Sequence, residues 1–485
     1  MNPFSFSSLV RALALFVIAA TTVQSAETRG TLRDDAQSAL KKAATYYHAN
    51  VATHGGYVYY YSLDLQQRWG EGVATRDQVF VQPPGTPAVG MALLKAYRAT
   101  SDSFYLDAAR DAARALVYGQ LQSGGWTQTI DFDPQGSKVA LYRNGKGKGR
   151  NHTSLDDNQT QAAIQFLTHI DRALEFKNTA IHEAVGFALD ALLKAQFPNG
   201  GFPQGFTGPV AAHPVVKASY PAEWPRVWPH EDYWNYYTLN DGLAGTVSET
   251  LLVAFYAYKD PRYDAAIRRI GDFLLLAQMP DPQPAWAQQY NYAMHPVWAR
   301  KFEPPAISGL ESEDAVRTLL KVYRFSGDRK YVEPVPRALA YLKESRLPDG
   351  RMARYYELHT NRPLYMNRKG PDYFLTFDDT DLPAHYGWKQ KTDVDQLEKE
   401  LESALALKPR PNVAVRPAEL EKQVRQILSE MDDQGRWIVT YSGDRNGHDL
   451  VGQPSFKPGF RFLSSTVFNR NIEALSDYLV ATRPE

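Results

Sequence analysis

One phrase recurs along the chain and constrains its fold more than any other feature: a helix closing on leucine and glutamine, a short turn, then glycine and an aromatic residue. It reads L-V-Y-G-Q-L-Q-S-G-G-W up to Trp126 and L-L-K-A-Q-F-P-N-G-G-F up to Phe202. A version without the glycine, L-L-L-A-Q-M-P-D-P-Q-P-A-W, ends at Trp286, weaker copies end at Met352 and Trp437, and Gly55-Gly56-Tyr57 is a further candidate. The copies lie roughly 65 to 85 residues apart, enough for two long helices with decorated loops. Between them apolar residues recur at helical spacing, as in Ile164, Leu167 and Ile170. Where glycine is present it can end a helix in a left-handed cap, and the aromatic can fold back over the hairpin end. A hairpin with one apolar face needs neighbours, and a closed ring leaves no open terminus. The expected fold is therefore all-α, an (α/α) toroid of helical hairpins with long aromatic-rich loops and little β structure. An open helical solenoid is the alternative.

Composition narrows the chemistry. The 485 residues, 44% of them hydrophobic, are enough for one large or two ordinary cores. With 54 basic and 54 acidic side chains there is no overall field to gather phosphates, so no nucleic acid partner is expected. The absence of cysteine leaves oxygen or imidazole to hold any metal. At the N-terminus, Arg11 precedes an apolar run from Ala12 to Ala20, and Val23 and Ser25 put small side chains before a cut ahead of Ala26. The run is shorter than the roughly 20 apolar residues a spanning helix needs. Residues 1–25 read as a signal peptide, with a buried helix or uncleaved anchor as the alternative. The mature protein is expected to be secreted or periplasmic, a monomer with no membrane span. Residues 26–392 are expected to form the toroid, and 393–485 a helical segment that completes it or packs on it; the charged stretch from Lys389 to Val415 marks the boundary.

Three short sites put uncommon side chains at the mouths of helices. The first is Asp156, Asp157 and Asn158, immediately before a helix; the second is Asn240 and Asp241, again before a helix. Helix capping explains either one alone. Together, in adjacent hairpins, they would face one mouth with the oxygen-rich carboxylates that calcium requires. The third is P-V-W-A-R-K-F-E-P-P-A-I-S-G-L-E-S, where Pro304 and Pro305 stiffen a loop behind Arg300, Lys301 and Glu303. The competing reading is a surface ion pair to Glu303, worth little to stability. Farther on, Arg354, Arg362, Arg368 and Lys369 lie among Tyr355, Tyr356 and Tyr365. Guanidinium forks suit carboxylates and tyrosine faces suit sugars, although a solvated strand or loop explains the pattern equally well.

Taken in order, the phrases G-G-W-T-Q (124–128), S-L-D-D-N-Q-T (154–160), A-Q-F-P-N-G-G-F-P-Q (195–204), T-L-N-D-G (238–242), the Arg300 phrase (298–312) and T-N-R-P (360–363) resemble the pectic acid lyases of polysaccharide lyase family 10. The resemblance runs from about Pro87 to Trp388. It implies an α/α-toroid catalytic module that cleaves de-esterified polygalacturonate by β-elimination, giving 4,5-unsaturated oligogalacturonates. It also implies Ca²⁺ at Asp156 and Asp241, or Asp157 after a one-residue shift, with Arg300 as the base. Arg362 would grip uronate carboxylates, with Asn240, Lys301, Arg354 and Arg368 as further substrate contacts.

Such chemistry makes physical sense. Abstraction of H5 places charge beside an existing carboxylate, and a dication on that carboxylate would stabilise the enolate-like transition state. An arginine base would need its affinity for protons lowered, by Ca²⁺ and by Lys301. Failing that, Arg300 would stabilise the enolate and another group would take the proton. Two rivals stand beside this reading: an α/α-toroid glycoside hydrolase working through paired aspartates, and a non-catalytic uronan-binding protein.

Overall fold

The computed structural model describes residues 32–406, 417–443 and 457–483; the proposed signal peptide lies outside them. The chain divides into two compact units. One comprises Met1–Asp77, Ala88–Ala112 and Ala414–Glu485, the other Gln78–Pro87 and Ala113–Val413. In chain order the helices are α1 (32–46), α2 (Thr86–Thr100), α3 (Ser103–Gly119), α4 (Gln159–Ala173), α5 (Thr179–Lys194), α6 (Leu243–Tyr258), α7 (Pro261–Ala277), α8 (Gly309–Ser326), α9 (Val335–Glu344), α10 (Val394–Leu405), α11 (Pro417–Ser429) and α12 (Ser465–Ala481).

In the second unit, α4, α6, α8 and α10 pack side by side in sequence as an inner layer, and α5, α7 and α9 lie outside them, each joined to its own hairpin partner. α7 also packs on α8, and α9 on α10, so every outer helix after the first covers the seam to the next hairpin. This double layer is the (α/α)-toroid architecture expected from the recurrent phrase.

The phrase itself does something different from what its glycine suggests. The glycine closes a turn beyond the helix instead of capping the helix. Gly124 N–H donates to Leu121 O at 3.0 Å, and Gly200 N–H donates to Phe197 O at 2.8 Å. The backbone is left-handed there (φ +93° at Gly200), and a Cβ on Gly200 would fall 1.8 Å from Arg269 O, so no other residue fits. The helix end is satisfied by the returning indole instead: Trp126 Nε1–H donates to Leu116 O, and Trp286 Nε1–H to Leu274 O, both at 2.8 Å. The preceding glutamine sets the spacing between hairpins. Gln120 Nε2 donates to Gly124 O and to Ala184 O of α5; Gln196 Nε2 repeats this with Gly200 O and Ala266 O of α7. Each turn is thereby fastened to the next outer helix. Trp286 is fully buried, so Trp286→Ala is expected to cost about 3–5 kcal/mol, read as a lowered denaturant midpoint.

After each aromatic the chain runs into a two- or three-residue strand. Thr153–Ser154 pairs with Gly205–Phe206, Tyr237–Thr238 with Gln289–Tyr290, and Ile307–Ser308 with Tyr355–Tyr356. These pairs sit where inner helices begin. A longer hairpin, Pro363–Lys369 with Asp372–Thr376, extends the Tyr355–Tyr356 pair into a four-stranded sheet. In the first unit, α11 packs on α12, and five short antiparallel strands are ordered Ile438–Thr440, Arg461–Ser464, Tyr60–Ser62, Arg68–Trp69 and Val73–Ala74. No helix among the described residues is long and apolar enough to cross a membrane.

Candidate active site

Two turns with the same backbone open the inner helices α4 and α6. Asp156–Asn158 and Asn240–Gly242 are single 3-10 turns, and in both the second and third residues are left-handed: Asp157 (φ 46°) and Asn158 (60°), Asp241 (53°) and Gly242 (65°). Asp157 and Asp241 are therefore structural equivalents. The residues at the cap positions, Leu155, Asn158, Leu239 and Gly242, make no side-chain cap hydrogen bond. The strained backbone aims both aspartates at one spot. One oxygen from each of Asp156, Asp157 and Asp241 lies within 4.8 Å of the others.

Neighbouring amides hold the cluster in place. Gln204 Nε2 donates to Asp156 Oδ1 at 2.7 Å, Gln82 Nε2 to Asp157 Oδ2 at 3.2 Å, and Asn240 Nδ2 to Asp241. The Asp241 carboxyl is pushed up to about 8 by burial and by the like charges of Asp157, Glu311 and Asp156, with Arg354 opposing. Its side chain is nonetheless exposed, so crowding by three carboxylates is the firmer cause. A hard cation with oxygen ligands fits such a set.

The Arg300 loop stands beside this cluster. Glu303, 2% exposed, receives Arg300 Nε at 2.8 Å, Arg300 Nη2 at 2.5 Å and the Arg300 backbone N–H at 3.0 Å. The carboxylate side of this fork is buried while the guanidinium is half-exposed, so it is not the weak surface pair. Burial acts to lower the Arg300 guanidinium, but the Glu303 hydrogen bonds and charge outweigh it and push it up, and Asp241 adds to the rise. The lowering expected from Lys301 is not found. Lys301 Nζ instead donates to Pro371 O at 3.1 Å, over the Tyr373 ring. Glu303 in turn is held down by Arg300 against the effect of its burial.

Buried polar groups connect the loop to the acidic turns. Tyr386 Oη donates to Glu303 Oε1 at 2.9 Å and lies 2.8 Å from Tyr355 Oη, which donates to Gln288 Oε1 at 2.6 Å. Arg354, expected to grip substrate, is inside the wall: its side chain is 9% exposed and pairs with the fully buried Glu311 at 2.7 Å. It also reaches Asn240 Oδ1 at 3.4 Å, which links it to the residue beside Asp241. Ser308, just before α8, turns its hydroxyl onto Glu311 and makes no cap bond. Arg362 is exposed and stacked 3.6 Å from the Phe377 ring, and Arg368 is exposed on the long hairpin.

Several site residues escaped sequence reasoning. Gln128, Gln204 and Gln288 each stand two places after the returning residue of a phrase, Trp126, Phe202 and Trp286, as Arg354, which the sequence had singled out, does after Met352. That shared offset was the signal available. Tyr233, 5% exposed, comes from the aromatic insert, and its phenol is raised by burial and then by Glu303, with Arg300, Asp156 and Asp241 all acting on it. The same insert braces the arginine loop, since Trp228 Nε1 donates to Ala299 O at 2.9 Å and Trp298 Nε1 to Pro225 O at 2.7 Å.

Residues 120–351 match the family described as pectic acid lyase. No curated protein matches the chain. Among solved structures, a variant of the family 10 polysaccharide lyase from Cellvibrio cellulosa in complex with trigalacturonic acid is similar at 18% identity over 66% of this chain and 97% of that one, TM-score 0.45. Cellobiose 2-epimerase from Bacillus thermoamylovorans B4167 is similar at 14% identity over 93% and 100%, TM-score 0.44. At these scores neither bears on the chemistry. The matched segment, which is similar to the pectic acid lyases, holds the acidic turns and the arginine loop together.

Proposed function

We propose that this protein cleaves de-esterified polygalacturonate by β-elimination, with Ca²⁺ held by Asp156, Asp157 and Asp241. One observation carries the reading: three carboxylates, brought together by matching strained turns, stand in the field of a guanidinium fixed by buried Glu303. When bound, the cation would neutralise the uronate carboxylate next to the carbon that loses its proton.

The protein's own groups do the rest. Gln204, Gln82 and Asn240 orient the aspartate oxygens, and Arg354 with Glu311 keeps Asn240 in register. Arg300, kept protonated by Glu303, presents a cation where negative charge grows on the uronate as C5–H is broken, so enolate stabilisation is the role its surroundings favour. Acting as base, it would work only through a small neutral population, which alkaline solution enlarges. Arg362, stiffened on Phe377, offers an exposed fork to a neighbouring uronate. Secretion, proposed from residues 1–25, would bring the protein to such polymers.

The test mixes the purified protein with polygalacturonate, with and without a chelator, and follows ultraviolet absorbance of the conjugated C4–C5 double bond. A rise that the chelator abolishes and added Ca²⁺ restores is expected. New reducing ends without absorbance would make the protein a hydrolase, and neither signal would leave it a binding protein.

A further inference from the structure

Between the first returning tryptophan and the acidic turn lies a stretch that the site does not use. From 134 to 155 the chain has no acidic residue, yet it carries Lys138, Arg143, Lys146, Lys148 and Arg150 in a protein of zero net charge. All five are exposed, and none pairs with a carboxylate among the described residues.

The segment is built, not slack. Tyr142, fully buried, receives the Asp131 N–H on its hydroxyl at 2.8 Å; Leu141 N–H donates to Arg150 O at 2.8 Å; and Asn151 Oδ1 receives Ser123 N–H at 2.7 Å. Gly147 folds against the stem so closely that a Cβ would lie 1.8 Å from Ala140 O. Two acids precede the loop: Asp131 is buried and accepts from Gln78 Nε2 at 2.7 Å and Lys138 N–H at 3.1 Å, and Asp133 accepts Gln135 N–H at 2.9 Å.

The loop leads straight to the acidic cluster. Arg150 Nη2 lies 3.4 Å from His152 Nδ1, and His152 packs on Gly205, whose neighbour Gln204 holds Asp156. Thr153–Ser154, paired with Gly205–Phe206, then delivers Asp156 and Asp157. A polymer with one carboxylate per sugar that left the cluster on this side would pass the cations of the loop.

We propose that loop 138–150 is a uronate-binding ledge, which holds carboxylates of the same polygalacturonate chain at sugars remote from the cleaved bond. This rests on the lyase reading of the acidic cluster and goes beyond it in assigning the loop.

The test compares wild-type protein with the triple variant Lys146→Ala, Lys148→Ala, Arg150→Ala on long polygalacturonate and on trigalacturonate, at low and high salt. Loss of three exposed charge contacts is expected to lower kcat/KM on the polymer by about tenfold and to flatten its salt dependence, while the trimer changes by less than about twofold. Lys146→Arg, Lys148→Arg, Arg150→Lys is expected to keep the polymer rate. An equal fall on both substrates, or no fall on either, overturns the ledge while leaving the lyase standing. Should wild-type protein leave polygalacturonate uncut, the lyase reading fails by itself. Retardation in polygalacturonate gels then still reports on the ledge: equal retardation of wild type and triple variant overturns it, as does equal retardation of wild type by duplex DNA.

Discussion

Arg300→Ala is expected to lower turnover on polygalacturonate by about a thousandfold while shifting KM by no more than about threefold, because its interaction grows with charge in the transition state. Equal loss in turnover and binding would overturn that role. The variant also leaves Glu303 without its partner in a buried site, at a cost of up to about 3 kcal/mol; the 41% exposure of the Arg300 side chain lets water recover part of it. Arg300→Ala combined with Glu303→Gln is therefore expected to regain stability in thermal melts without regaining activity. Arg300→Lys separates the two chemical roles. If the residue acts as a cation, lysine restores part of the rate with the pH profile unmoved. If it acts as a base, the alkaline limb shifts toward neutrality, since lysine gives up its proton near 10.4 and not above 12. The Glu303 fork favours the first outcome.

Asp241→Asn is expected to remove activity by about a hundredfold or more at fixed calcium, and to abolish stabilisation by added Ca²⁺. In chelator the sign reverses. The folded-state carboxyl of Asp241 titrates at about 8, above its unfolded value, so the folded chain binds the extra proton between the two. Stability therefore falls as pH rises from about 4 through 8. The asparagine variant escapes that loss and should be more stable than wild type at pH 9, by about 1 kcal/mol after screening of an exposed carboxyl, with little difference at pH 4. Melting curves in chelator at the two pH values check this. A variant less stable than wild type at pH 9 would mean the carboxylates do not repel one another as placed.

How much of this was visible beforehand varies by residue. Asp156, Asp157 and Asp241 were legible because a short acidic phrase directly before a helix is a local signal. Which of Asp156 and Asp157 matches Asp241 was not, since that depends on the left-handed φ shared by Asp157 and Asp241. Arg354 looked like a substrate fork because an arginine among tyrosines reads the same on either side of a wall. Only its pairing with Glu311, 43 residues earlier, turns it inward. The glutamines went unremarked because their shared offset has meaning only once each returning aromatic is seen to fix the direction of the strand after it.

By itself, the sequence determined the repeat and hence the hairpins, because helix periodicity, turn glycines and returning aromatics act over a few residues. It also determined which side chains could bind a cation or a uronate. Only the tertiary structure decided whether Arg300 stays charged, which arginines face outward and that acids from two hairpins share one spot. Those outcomes depend on burial and on charges brought close from distant parts of the chain, and Coulomb energies change steeply with both.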